Sequence, residues 1–393
     1  MTIERVETLH DPNAGAATLT FVQIHDSSGA VGLGETYYTP KTVAAYVHEV
    51  IAPALIGTDA LQDGTLWDRE YVASARRGAG GTDMRALSAV DLAMWDLKGK
   101  LLGAPVYQLL GGAGEMPTRV YNTCAGSTYA TGSVVGRGPH ADKDDLWRAL
   151  NDPGDLAAEL LEQGFTGMKL WPFDQFADAD AGRSIAGRDL AAGRGILESI
   201  RTAVGDRMDI MLEGHGKWQL APAIQILRAI EDLDVRWAED MVLANDPSVL
   251  SRLHAASRVP VAASEYLMGR WEFRRMFEAD GIGYVHLDPS WCGGISEARN
   301  ILALASSYGI VASMHDCTGP INLLAGLHLA ASHSIVGYQE VLRAFLDDVY
   351  PRMVELPFEV TDGRMSPPER PGLGASLTSE FLASPTLIRE STR

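Results

Sequence analysis

Between residues 119 and 340 the chain alternates short apolar stretches with helical ones, and this alternation restricts the fold more than any other feature. The spacing predicts strands at 119–124, 167–171, 208–213, 235–239, 261–265, 284–288, 310–315 and 336–340. Helical periodicity lies between them, for example over 221–231, 248–256, 295–308 and 321–331. Eight strands with intervening helices is the number that closes a parallel (β/α) barrel. Upstream, 18–25 and 31–35 alternate around Asp26-Ser27-Ser28-Gly29, which reads as a hairpin, and 86–102 reads as a largely buried helix. Strands followed by helices make an α+β unit.

A chain of 393 residues exceeds what one core usually organises. The reading is therefore an α+β domain over 1–117, a barrel over 118–350, and a segment 351–393 whose Pro367-Pro368 and Pro371-Gly372 do not resemble a further βα unit. That last segment is expected to return to the first domain. Residues 126–152, rich in Gly, Ser and Asp, are expected to form a long loop over the barrel mouth.

The strand ends carry the chemistry. Glu213, Glu239, Glu265, Asp288, His315 and Glu340 follow one another at spacings of 26, 26, 23, 27 and 25 residues, once per βα unit. Each falls at a C-terminal strand end, the face on which barrel enzymes keep their sites. A single strand-end carboxylate can be satisfied by solvent or a helix N-terminus. Several gathered at one mouth repel one another unless a cation neutralises them. Glu213, Glu239 and Glu265 offer the hard oxygen ligands that suit one Mg²⁺.

Asp288 and His315 end adjacent strands, where a carboxylate can fix an imidazole's tautomer and raise its basicity. His215, two residues past Glu213, is expected on the same side of the extended chain. Lys169 could grip a substrate carboxylate or stay solvated. Glu340, if protonated, could hydrogen-bond that carboxylate.

Bulk properties exclude other classes. The formal charge of −18 repels a phosphate backbone, so nucleic acid is an unsuitable partner. No run of 18 apolar residues offers a membrane span, and the N-terminus lacks a signal-peptide pattern. Three distant cysteines suggest neither a disulfide framework nor a zinc ribbon, which suits a reducing cytoplasm. Closed homo-oligomers are the default assembly.

The segments Ala86-Leu87-Ser88-Ala89-Val90-Asp91-Leu92-Ala93-Met94-Trp95-Asp96-Leu97-Lys98-Gly99-Lys100, Trp237-Ala238-Glu239-Asp240, Ala263-Ser264-Glu265, Leu287-Asp288 with Gly293-Gly294-Ile295, and Met314-His315-Asp316 occur in this order. Together they resemble the mandelate racemase subgroup of the enolase superfamily over nearly the whole chain. The resemblance implies a (β/α)7β-type TIM barrel with an α+β capping domain. It further implies Mg²⁺ ligation by Glu213, Glu239 and Glu265, and a His315–Asp288 dyad as general base. The second lysine of the family's Lys-x-Lys pair is here Trp171, and its sixth-strand lysine is Trp291, which argues against racemising, lactonising and dipeptide-epimerising relatives. The family's Pro after the fourth-strand acid pair is Met241, which leaves that loop's path open.

Glu213-Gly214-His215 looks like the acid-sugar dehydratases of the galactonate dehydratase type, with His215 as general acid. The implied reaction is removal of the proton α to a sugar acid's carboxylate and loss of the β-hydroxyl, giving a 2-keto-3-deoxy acid. Cycloisomerisation or epimerisation of a sugar acid is the alternative within the family, and a barrel that binds acid sugars without turnover is the alternative outside it. The small anionic substrate is expected to meet Lys169, Glu340, Tyr37 and Trp171. Loops around Tyr37-Tyr38-Thr39, Arg76-Arg77-Gly78 and 126–152 are expected to read its distal end.

Overall fold

The computed structural model describes residues 1–14, 18–61, 63–76, 78, 80–113, 117–127, 129, 144–355 and 359–393, with the side chains of 63–66 left aside. Strands β1 (Ile3–His10), β2 (Leu19–Asp26) and β3 (Val31–Tyr37) form an antiparallel meander. The β2–β3 turn closes as its residues dictate: the Asp26 carboxylate accepts from the N–H groups of Ser28 (3.0 Å) and Ala30 (3.2 Å), and Gly29 takes φ 88°.

Helix α1 (Thr82–Leu102) lies across this sheet. It starts four residues before the predicted position and ends at Gly103, whose left-handed φ of 68° caps it through an N–H bond to a carbonyl of the last turn. The close packing explains two glycines of β3: a Cβ on Gly32 or Gly34 would overlap the carbonyl oxygens of Ala93 or Ala89. Ile3, Val6, Val22, Ala89, Ala93 and Leu97 form the core of this layer.

All eight predicted barrel strands are present, as β4 (Thr118–Thr123), β5 (Gly167–Leu170), β6 (Asp209–Glu213), β7 (Val235–Glu239), β8 (Val261–Ala263), β9 (Tyr284–Leu287), β10 (Val311–Met314) and β11 (Val336–Val341). They pair in parallel in sequence order, and β11 closes on β4 with Glu340 opposite Tyr121. Alternation sorts their side chains. Ile210, Leu212, Val285 and Leu287 join the main core that includes the outer helices, whereas Tyr121, Met211, Trp237, Ala262 and Tyr338 form a separate cluster. An aromatic such as Trp237 removes about 150–250 Å² from water, a gross gain of about 4–6 kcal/mol.

Three short helices matter for the mouth of the barrel: α2 (Asp174–Ala177) after β5, α3 (Pro289–Cys292) after β9 and α4 (Pro320–Ala330) after β10. The expected loop over 126–152 differs from the structure at its end, where 145–151 is helical. The Asp144 carboxylate accepts from Trp147 N–H, and Leu146 and Ala149 are buried, so a cap and an apolar stripe were present in that segment. Residues 128 and 130–143 of that loop, and Arg77, lie outside the described residues.

After β12 (Arg364–Met365), which pairs with the start of β4, the chain crosses back to α1: Leu373 N–H reaches the Asp96 carboxylate at 2.7 Å. Strand β13 (Ile388–Thr392) then joins the first sheet antiparallel to β1, with Val6 opposite Thr392. No helix among the described residues is long and apolar enough to cross a membrane.

Candidate active site

Residues at the C-terminal strand ends and the loop after β3 line a cavity of about 840 Å³. His215 and His315 both line it. They follow β6 and β10, four strands apart in a closed ring of eight, so they stand across the mouth from each other.

His315 Nδ1 donates to Asp288 Oδ2 at 2.6 Å. Asp288 is fixed in turn: its Oδ1 accepts from Ser290 N–H (2.7 Å) at the start of α3, and its Oδ2 from Asn322 Nδ2 (3.0 Å) on α4. The same Asn322 amide donates to His315 O (2.9 Å) and its own N–H is held by Glu35 of β3 (2.6 Å). With Nδ1 committed, Nε2 is the nitrogen left to act, 4.0 Å from Glu265 and 3.9 Å from Glu340. Burial works against a charged His315, but Asp288, Glu340 and Glu265 outweigh it and push its pKa up to about 10.

His215 has an equivalent partner that the sequence reading missed. Its Nδ1 meets Asp174 Oδ2 at 2.6 Å, at the start of α2, and its Nε2 lies 3.1 Å from the Tyr129 hydroxyl. Burial again opposes the charge, and Glu213 with Asp174 overcomes it, raising the pKa to about 9. Trp171 packs edge-on against this imidazole with centroids 5.2 Å apart, and both Trp171 and Tyr37 line the cavity. Desolvation raises the Tyr37 hydroxyl to about 12, so it stays a neutral donor.

The carboxylates converge as the strand-end register requires. Glu213 and Glu239 are paired residues on neighbouring strands, and Glu239, Glu265 and His286 bring ligand atoms within 4.8 Å of one another. The loop after Met241 runs beside that after β6: Trp218 N–H bonds Met241 O (3.2 Å) and Gly214 N–H bonds Glu239 O (3.0 Å).

Lys169 is buried yet borders the cavity, with Nζ 2.8 Å from Glu239, 2.9 Å from Glu340 and 3.2 Å from Glu213. Its charge is taken up by protein carboxylates. Glu340 differs from the neutral group expected to meet substrate: it is fully buried, and although desolvation would raise its pKa, Lys169, His315 and His286 hold it below the usual range. It is an ionised acceptor for Lys169, for the Thr123 hydroxyl and for Asp316 N–H (3.2 Å).

His286, also missed, lies two residues before Asp288 and so projects into the barrel with it. Its Nδ1 pairs closely with Glu239, and its Nε2 lies 3.2 Å from Tyr121 Oη.

A divalent cation fits this donor set. Glu265 Oε2 is buried without a hydrogen-bond partner, as is Oδ1 of the neighbouring Asp240. Burial first, and then adjacent carboxylates, push Glu213 and Asp240 well above the ordinary carboxyl range. Negative charge is in surplus, and hard oxygens are the ligands that Mg²⁺ takes.

Known proteins share this frame. Residues 8–111 match the mandelate racemase / muconate lactonizing enzyme N-terminal domain, and 153–381 match the enolase C-terminal domain-like family. D-galactonate dehydratase of Verminephrobacter eiseniae is 33% identical over 311 residues, 79% of this chain and 74% of that protein. The protein of the same name from Ralstonia nicotianae is 31% identical over 91% of this chain and 88% of its own length. A solved enolase of the mandelate racemase subgroup from Agrobacterium tumefaciens superposes with a TM-score of 0.88 at 38% identity, covering 100% of this chain and 99% of its own. With a capped barrel, carboxylates closing successive strands and both family domains matched, the chain belongs to the mandelate racemase / muconate lactonizing enzyme family of the enolase superfamily.

Proposed function

We propose that the protein is a Mg²⁺-dependent sugar-acid dehydratase, acting on an aldonate or aldarate and forming a 2-keto-3-deoxy acid. The observation that carries this reading is the pair of Asp-held imidazoles, His315–Asp288 and His215–Asp174, that face one cavity from opposite strands. Relatives named D-galactonate dehydratase at 30% identity and above support the reaction class.

Glu213, Glu239 and Glu265 would hold the metal, which when bound supplies Lewis-acid stabilisation of charge developing on the substrate's carboxylate. His315 Nε2, the nitrogen not used by Asp288, would remove the α-proton, its base form becoming available when a cation held by Glu265 offsets the carboxylate charge that otherwise keeps the imidazole protonated. His215, biased toward its protonated form by Glu213 and Asp174, gives a proton to the departing β-hydroxyl. Tyr37 and Trp171 border the space left for the sugar chain, and Lys169 with Glu340 keeps the carboxylates beneath it in place. Each proton transfer of this kind contributes about 10²–10⁴-fold.

One observation favours a second reading. Asp174 equips His215 to act as a base as well as an acid, which an epimerase requires. A panel of aldonates and aldarates, assayed with Mg²⁺ for 2-keto acid, tests the proposal. A 2-keto product that disappears on chelation and returns with Mg²⁺ supports it. Isomerised substrate without 2-keto acid replaces it with the epimerase, and no turnover or α-proton exchange with any acid sugar leaves only a binding barrel.

A further inference from the structure

A second group of metal-binding atoms adjoins the carboxylate set and differs from it in chemistry. His315, Cys317 and Glu340 each offer one ligand atom, all within 4.8 Å of one another. Cys317 Sγ lies 3.6 Å from Glu340 Oε1, and His315 Nε2 lies 3.9 Å from Glu340 Oε2. These two separations are to different oxygens of Glu340; tetrahedral Zn²⁺ with bonds of about 2.0–2.3 Å separates its ligand atoms by about 3.3–3.8 Å, so three atoms within 4.8 Å reach it by a modest side-chain adjustment.

The donors are also prepared for it. The Asp288 carboxylate takes up Nδ1 of His315, the carboxylate–histidine arrangement that orients zinc-binding imidazoles through their other nitrogen. Lys169 and the Thr123 hydroxyl occupy Oε1 of Glu340, whereas Oε2 accepts from Asp316 N–H at 3.2 Å and faces His315 and His286. Cys317 is the one cysteine of the three that reaches the cavity, since Cys124 and Cys292 are buried elsewhere.

We infer that His315, Cys317 and Glu340 form an inhibitory site for a thiophilic divalent cation such as Zn²⁺, distinct from the all-carboxylate set. One imidazole, one thiolate and one carboxylate leave a fourth position open to the cavity. Binding forms a metal–sulfur bond and releases the thiol proton to solvent, with no change of oxidation state. Burial first and then Glu340 disfavour a bare thiolate here, and the same carboxylate attracts the cation that stabilises one. Mg²⁺ is a poor occupant, because it prefers oxygen ligands. Occupation ties up the one nitrogen through which His315 can act. This last consequence rests on the proposed role of His315, whereas the binding does not.

The test uses Co²⁺ as a spectroscopic stand-in and Zn²⁺ as the inhibitor, both on the full chain with excess Mg²⁺ present. Titrated Co²⁺ is expected to produce a sulfur-to-cobalt charge-transfer band at one equivalent in the wild type. That band is absent from C317S, and from C317G, which suits the φ of 101° at this position without strain. Zn²⁺ is expected to inhibit the wild type, and loss of the ligand raises the concentration required at least tenfold, relative to each variant's own uninhibited rate. No band in the wild type, or a band that persists in both variants, overturns the site. A band without inhibition of a confirmed dehydratase retains the site and overturns the role given to His315.

Discussion

Asp174 Oδ2 lies 2.6 Å from Nδ1 of His215, the same separation that joins Asp288 to His315 on the far side of the barrel. Nothing in the strand-end pattern points to it, because Asp174 sits on a short helix beyond β5. The contact fixes which nitrogen of His215 faces the cavity, and so makes an acid at the start of α2 part of the proposed proton path.

Exchanging the two imidazoles separates their roles. His315→Asn is expected to abolish α-proton exchange in D₂O, a fall of about 10²–10⁴-fold, while Mg²⁺ binding persists. His215→Asn is expected to stop dehydration and permit exchange. Proton NMR of recovered substrate reads both, and exchange retained in His315→Asn would refute the base assignment.

Asp174→Asn tests the second dyad. An amide can no longer accept strongly from Nδ1–H, so the imidazole loses its fixed orientation. Dehydration is expected to fall by about 10²-fold with exchange retained. Equal losses of both steps would give Asp174 a structural role only.

Asn322→Ala removes the amide that joins Asp288 to the His315 carbonyl, without touching the cavity. The base keeps its carboxylate but loses its alignment. A fall in kcat with KM nearly unchanged is expected, and Asn322→Asp, which lacks the donor, should not restore it. A rise in KM alone would contradict this.

His328 is expected to make the protein acid-sensitive. It is buried on α4, accepts from Tyr107 N–H, and burial lowers its pKa to about 4. The folded state therefore binds its proton less readily than the unfolded chain, whose histidines titrate near 6.5. Its contribution is complete above about pH 6.5 and is lost as pH falls toward 4, up to about 3 kcal/mol. Urea unfolding from pH 7 to 4 should show this decline, and His328→Gln should flatten it.

Gly34→Ala should destabilise the sheet–helix contact by about 1–3 kcal/mol, because the new methyl meets the backbone of Ala89 and Ala93 rather than a movable side chain. Thermal unfolding measures it. A melting temperature equal to wild type would mean that α1 can shift outward at no cost.

The barrel was legible because strands and helices impose different periods, and its residues Glu213, Glu239, Asp288, His315 and Glu340 because each closes a unit. Glu340 shows the limit of that reading. Its position was evident, but its charge state depends on Lys169 and His286, contacts made across the barrel rather than along the chain. His286 was accessible to sequence logic, since two residues before Asp288 on one strand means the same face. Asp174 and Tyr129 were not, because the segments that carry them to His215 lie outside the strand pattern.

The pairing of β13 with β1 has a consequence for how the chain is made. Residues 388–392 are synthesised after the barrel strands, so the edge of β1 that they will cover stays bare while the barrel is made. Zipping β13 onto β1 therefore follows synthesis of the barrel, and a nascent chain stalled before it exposes a ready template for another copy.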